Sequence, residues 1–138
     1  MGNISEHFSG REFACKCGCN SELKLARSLV DLLEGIREAT DGDAIRITSG
    51  ARCKKHNLGT PGAAANSWHI PRDGVLYASD ITYHNRAKIN KLSILKLYVL
   101  ADKLGANGIG LYNGRIHVDQ RPDGRARWIH KGFTWDLD

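Results

Sequence analysis

Prolines are scarce, three in 138 residues and none adjacent, so no Pro-rich linker divides the chain. With no internal repeat either, residues 1–138 fit one domain. Long apolar runs are missing too. The longest, Leu92–Ala101, is broken by Lys96 and falls short of the about 20 residues that span a bilayer, which excludes a transmembrane helix. Met1–Phe8 has neither the basic start nor the apolar run of a secretory signal, and Glu6 stands where a myristoylation pattern wants Ser or Thr. The expectation is synthesis in the cytoplasm and no stable membrane anchor. Cysteine is limited to four residues, and a chain that is 41% hydrophobic can build its core without disulfides. Three of the four stand as Cys15-x-Cys17-x-Cys19, with Cys53 alone downstream. Structural zinc sites usually pair ligands as C-x2-4-C, so this spacing favours reduced, loosely structural thiols over a structural metal or a bridge to Cys53.

Charge of one sign is in mild excess, +5 with a pI near 9.2, which suits an anionic partner such as nucleic acid, an acidic membrane surface or a cell envelope. The densest basic spots, Lys54-Lys55 and Arg125-Ala126-Arg127, match no RNA-binding or helix-turn-helix signature. A solvated basic surface and no nucleic-acid partner are therefore expected.

Leu25, Leu29, Leu32, Leu33 and Ile36 recur at three- and four-residue steps, which predicts a helix over Leu23–Ala39 with Ser21 as its N-cap. Ala44–Thr48 alternates as a half-buried strand. A Gly- and Ala-rich loop follows from Leu58 to Asn66. Tyr77–Tyr83 reads as a second strand, Asn85 as the cap of a long helix from about Arg86 to Leu104, and Gly105 as its stop. Asn113-Gly114 joins two further strands, Gly108–Tyr112 and Arg115–Asp119, as a hairpin. The tail Arg127–His130 adds one short strand. This order gives an α+β fold: a small antiparallel or mixed sheet with helices packed to one side.

Within that frame a few residues can carry chemistry. Asp80 sits mid-strand among Ala78, Ile81 and Tyr83, where a free anion is costly to bury, so it is solvent-facing, salt-bridged or metal-bound. In Ile116-His117-Val118-Asp119 the period of two sends His117 and Asp119 to one face, opposite the apolar pair. Two imidazoles and a carboxylate, here His69, His117 and Asp80, form a usual catalytic zinc set that leaves a fourth position for water. Spacing alone favours the plainer account, of surface histidines and a paired strand acid, because a discontinuous H…D…H set is less diagnostic than H-E-x-x-H.

The surroundings shift that balance. Phe8–Cys19, Ser49-Gly50-Ala51-Arg52, Gly62-Ala63, Ser67-Trp68-His69, Ala78-Ser79-Asp80-Ile81, Gly108–Tyr112 and Ile116-His117-Val118-Asp119 follow one another in an order spanning nearly the whole chain. Together they resemble the zinc D-Ala-D-Ala carboxypeptidase and L-alanyl-D-glutamate endopeptidase family, which includes small phage endolysins and shares its fold with the hedgehog signalling domain. The resemblance implies that His69, Asp80 and His117 are zinc ligands. It gives Arg52 the scissile carbonyl or a substrate carboxylate, since a guanidinium is a fixed cation, and Ser67 the substrate backbone or, equally, a turn. Two departures stand out. Ten residues separate His69 from Asp80 where the family usually has six, so Pro71-Arg72-Asp73-Gly74 reads as an inserted turn and Asp73 as the rival ligand. The position two or three before the last ligand, where relatives carry a general base, holds Gly114 and Arg115. Asp73, Asp119 and His84 are the candidate bases, and Asp119 suits better the orientation of His117.

The resemblance thus implies a monomeric zinc peptidase that cuts an amide bond in the peptide stem of peptidoglycan, as a phage endolysin acting at the bacterial wall after release. The alternatives are a zinc-bearing wall-binding or structural module without catalysis, and a basic nucleic-acid-binding protein.

Overall fold

A computed structural model describes residues 2–18 and 23–135, so Cys19 and the expected N-cap Ser21 lie outside the described residues. A five-stranded mixed sheet carries the molecule, built from β2 (Ile45–Ser49), β4 (Ala78–Tyr83), β5 (Gly108–Tyr112), β6 (Arg115–Asp119) and β7 (Ala126–Ile129). Its order is β2-β4-β6-β5-β7, antiparallel throughout except that β7 runs parallel to β5. The β5–β6 hairpin has the expected bounds because Gly114, at φ +77°, takes the left-handed conformation its two-residue turn demands.

Alternation splits the sheet residues between two environments. Ile81, Ile109, Leu111, Ile116 and Val118 join one core with Leu29, Leu33 and Ile36 of α1 (Arg27–Ala39) and Ile94, Leu97 and Ala101 of α3 (Lys91–Lys103). Each fully buried Leu or Ile contributes about 1.5–3 kcal/mol relative to exposure. The opposite face carries Asp80, Arg115, His117 and Asp119. The fold is the expected α+β sheet-and-helix arrangement. A short helix, α2 (Lys54–Leu58), follows β2.

Two expected helices start later than their periodicity predicts. Lys24–Leu25 is a strand, β1, paired parallel with β3 (Val75–Leu76), with the amides of Lys24 and Ala26 donating to the carbonyls of Gly74 and Leu76. Tertiary pairing overrides the apolar period there, and α1 begins at Arg27. The long helix from Arg86 is broken: Asn85 caps only a 3-10 turn, Arg86–Lys88, and Asn90 caps α3. Asn90 accepts from the Ser93 amide at 2.9 Å while Ser93 Oγ accepts from the Asn90 amide at 3.0 Å. An asparagine with that local alternative favours a cap over a helix interior.

Candidate metal centre and its cleft

The polar face of the sheet places four residues in one cross-strand row, because Asp80 pairs with His117, His117 with Gly110, and Gly110 with Trp128. His69 joins them from the loop before β3. Its amide donates to Ser67 Oγ at 3.1 Å and its carbonyl accepts from the Arg52 amide at 2.8 Å, which fixes the turn that delivers the ring. His69 Nε2 lies 3.1 Å from Asp80 Oδ1 and 3.2 Å from His117 Nδ1, and His117 Nδ1 lies 3.2 Å from Asp80 Oδ1. All three residues are buried.

This triangle fits a tetrahedral ion. Donors bound at the about 2.0–2.1 Å that zinc takes with nitrogen and oxygen stand about 3.3–3.4 Å apart, close to the distances found. The outer nitrogens agree. His69 Nδ1 meets the Gly50 carbonyl at 2.7 Å and His117 Nε2 meets Asp119 Oδ2 at 2.7 Å. Each ring can donate outward and present an unprotonated nitrogen to the common centre, as metal-bound imidazoles do. Electrostatics point the same way. Burial would raise the Asp80 pKa, but hydrogen bonds and charge from His117 and His69 hold it well below the ordinary carboxylate range. Burial opposes a charged His117, yet Asp119 and Asp80 outweigh it and raise the imidazole pKa. Both shifts mark an anionic carboxylate at the point where the two imidazole nitrogens converge.

Glycines make the room. A Cβ on Gly108 would meet Asp119 Oδ2 at 2.1 Å, and one on Gly110 would meet the Trp128 ring at 2.4 Å. The Gly-x-Gly of β5 therefore lets the Asp119 carboxylate and the Trp128 indole close onto the strand backbone, the indole 5.0 Å from the His117 ring.

Each residue singled out in the sequence has a definite place. Arg52 Nη2 donates to Ser67 Oγ at 3.1 Å, its Nε is buried with no hydrogen-bond partner, and burial draws its pKa below the usual guanidinium value, partly offset by Asp80. Ser67 is committed to Arg52 and to the His69 amide. Asp119 is fully buried behind His117; Arg121 grips it through Nε at 2.8 Å and Nη2 at 2.7 Å, and its backbone amide adds a third bond. Burial opposes the Asp119 anion, but Arg121 and His117 hold its pKa far below the ordinary value. Asp73 is exposed at a hairpin tip, away from the three converging groups, and His84 is exposed at the end of β4.

The cleft above the centre holds about 360 Å³ and is lined by Arg52, Ser67, Tyr112, Arg115, Trp128 and His130 among others. Trp128, Tyr112 and His130 carry weight that the sequence reading did not assign, and Arg115 gains a partner. Arg115 Nε is 3.4 Å from Asp80 Oδ2, so the position expected to carry a general base holds a cation paired with Asp80. Trp128 Nε1 donates to Tyr112 Oη at 3.1 Å, and His130 stacks on Tyr112 at 4.8 Å. The spacing Trp128-x-His130 is the signal in the sequence, because a chain that stays extended past β7, as the His130 amide bond to the Leu111 carbonyl shows, turns alternate side chains the same way.

A family model described as Peptidase M15 matches residues 6–119. No curated protein and no solved structure matches the chain.

Proposed function

The chain belongs to the M15 family of zinc peptidases, and from that premise we propose that it hydrolyses an amide bond in the peptide stem of peptidoglycan, with zinc held by His69, Asp80 and His117. The observation that carries this reading is the convergence of those three donors within 3.1–3.2 Å at the floor of an arginine-lined cleft. Zinc at such a site lowers the pKa of a coordinated water to about 7 and polarises a carbonyl, the two needs of amide hydrolysis.

The protein's own groups supply the rest. Arg52 lines the cleft with its guanidinium, which stabilises charge on the scissile carbonyl oxygen or holds a substrate carboxylate. Ser67 keeps that guanidinium turned inward. Asp119, itself held by Arg121, orients His117. His130 lines the same cleft, stacked on Tyr112, and is the imidazole we assign to proton transfer between the attacking water and the leaving amine. Arg115 and Arg121 keep the cleft cationic, which suits the carboxylates of a stem peptide. The net charge of +5 suits approach to an anionic wall, and we place the protein there as a monomeric phage endolysin acting in host lysis.

Mass analysis of purified peptidoglycan digests tests the reading. Stem-peptide fragments are expected with the intact protein and not after chelation, and restored zinc recovers them. Products unchanged by chelation overturn the metal mechanism, while zinc-loaded protein that releases nothing favours a wall-binding module.

A further inference from the structure

A second cluster of metal-ligating side chains lies outside the cleft, on the segment that precedes β1. Cys15 and Cys17 follow the 3-10 turn Gly10–Phe13, and Cys53 comes from the loop after β2. Cys15 Sγ is 3.1 Å from Cys17 Sγ, Cys17 Sγ is 3.5 Å from Cys53 Sγ, and all three sulfurs lie within 4.8 Å of one another. We propose that Cys15, Cys17 and Cys53 bind a structural zinc ion that staples the N-terminal segment to the loop carrying Arg52.

Three sulfurs from segments 36 residues apart converge on one point. Sulfurs on one tetrahedral zinc with about 2.3 Å bonds stand about 3.8 Å apart, close to the separations found. Hydrogen-bond donors and positive charge surround the sulfurs. The Cys53 amide donates to Cys15 Sγ at 3.4 Å, the His56 amide donates to Cys53 Sγ at 3.4 Å, and Lys16, Lys54 and Lys55 place positive charge beside the cluster in the chain. His56 Nδ1, 3.2 Å from Cys15 Sγ, flanks the cluster and is a candidate for its fourth corner. Cys19, two residues beyond Cys17, is the chain's other thiol. Spacing alone favoured loose thiols; the fold supplies the missing partner, Cys53.

The same segment already touches the functional loop. The Ala51 amide donates to the Phe13 carbonyl at 2.8 Å, and a Cβ on Gly50 would meet Phe13 backbone at 2.5 Å. Gly50 is the residue whose carbonyl receives His69, and Arg52 directly precedes Cys53. An ion here would fix both from behind, without contact to substrate.

The test uses a variant whose first centre is disabled, His69→Ala with His117→Ala, so that its outcome does not depend on the proposed peptidase site. Purified under reducing conditions and dialysed against micromolar zinc, this variant is expected to keep about one zinc per chain, with X-ray absorption showing a sulfur-dominated shell at about 2.3 Å. A shell of three sulfurs with one nitrogen identifies His56, one of four sulfurs identifies Cys19, and either supports the site. Adding Cys17→Ser should remove that zinc and lower the melting temperature. Should the added change prevent folding, mercurial titration of the double variant decides, since zinc release should track thiol modification. Zinc-free double variant, a shell without sulfur, or a disulfide among Cys15, Cys17 and Cys53 in the zinc-dialysed protein overturns the proposal.

Discussion

Arg52 is half-complete in its hydrogen bonding: Nη2 is satisfied by Ser67, while Nε is buried and unpartnered. The guanidinium also lines the cleft, where a fixed cation is placed to meet a substrate oxygen. Arg52→Ala is therefore expected to retain zinc and fold yet lose turnover by roughly a hundredfold or more, the scale of one preorganised donor. Arg52→Lys should recover little, because an ammonium cannot reproduce the planar fork. Zinc content, melting temperature and peptidoglycan turnover measured on both variants check this, and wild-type turnover in Arg52→Ala would remove the residue from the site. Asp119 acts one bond further back. It receives His117 and is itself clamped by Arg121, so Asp119→Asn should weaken zinc binding by about 10–100-fold while the sheet stays folded. Competition against a chromophoric chelator measures that loss.

At the scale of elements, the inserted turn is the informative piece. Arg72 and Val75 exchange both backbone hydrogen bonds at 2.9 Å around Asp73 and Gly74, whose φ values of +53° and +78° match a type I′ hairpin. The insertion thus closes on itself, leads into β3 and β4, and delivers Asp80 to the row opposite His117. Asp80→Ala should lose zinc and activity together. Asp73→Ala should keep both, since the side chain lies at an exposed tip. Metal analysis of the pair separates them, and the reverse pattern would put the insertion in the wrong place.

Over the whole molecule, the N-terminal segment is held to the helical layer by Glu34 of α1, which accepts from the His7 amide at 2.8 Å and meets His7 Nδ1 at 2.6 Å. Burial would raise the Glu34 pKa, but hydrogen bonds from Ser5 and His7 outweigh it and set it below the ordinary carboxylate value. A carboxylate with a depressed folded-state pKa contributes stability that is present above its unfolded value of about 4.3 and is lost as pH falls through the folded value. Glu34→Gln should accordingly lower the melting temperature near pH 7 and lower it less near pH 3. Melting curves of the two proteins at both pH values read the difference, and a gap that widens in acid would contradict this coupling. No described helix is long and apolar enough to cross a membrane.

Local rules settled much of this protein from the sequence. Alternation put His117 and Asp119 on one face and Ile116 and Val118 on the other, and Asn113-Gly114 placed the hairpin, because a pleat has period two and the turn's second residue, Gly114, is left-handed. The order of motifs pointed to the M15 peptidases. Residues far apart in the chain were beyond such rules. Only strand pairing aligned Asp80, His117, Gly110 and Trp128 in one row, because register depends on partners that local spacing does not name. Only tertiary competition turned Lys24–Leu25 into a strand against Val75–Leu76. Cys53 met Cys15 and Cys17 for the same reason: the Phe13 segment lies along Gly50 and Ala51, a contact fixed by backbone approach and carried by no motif.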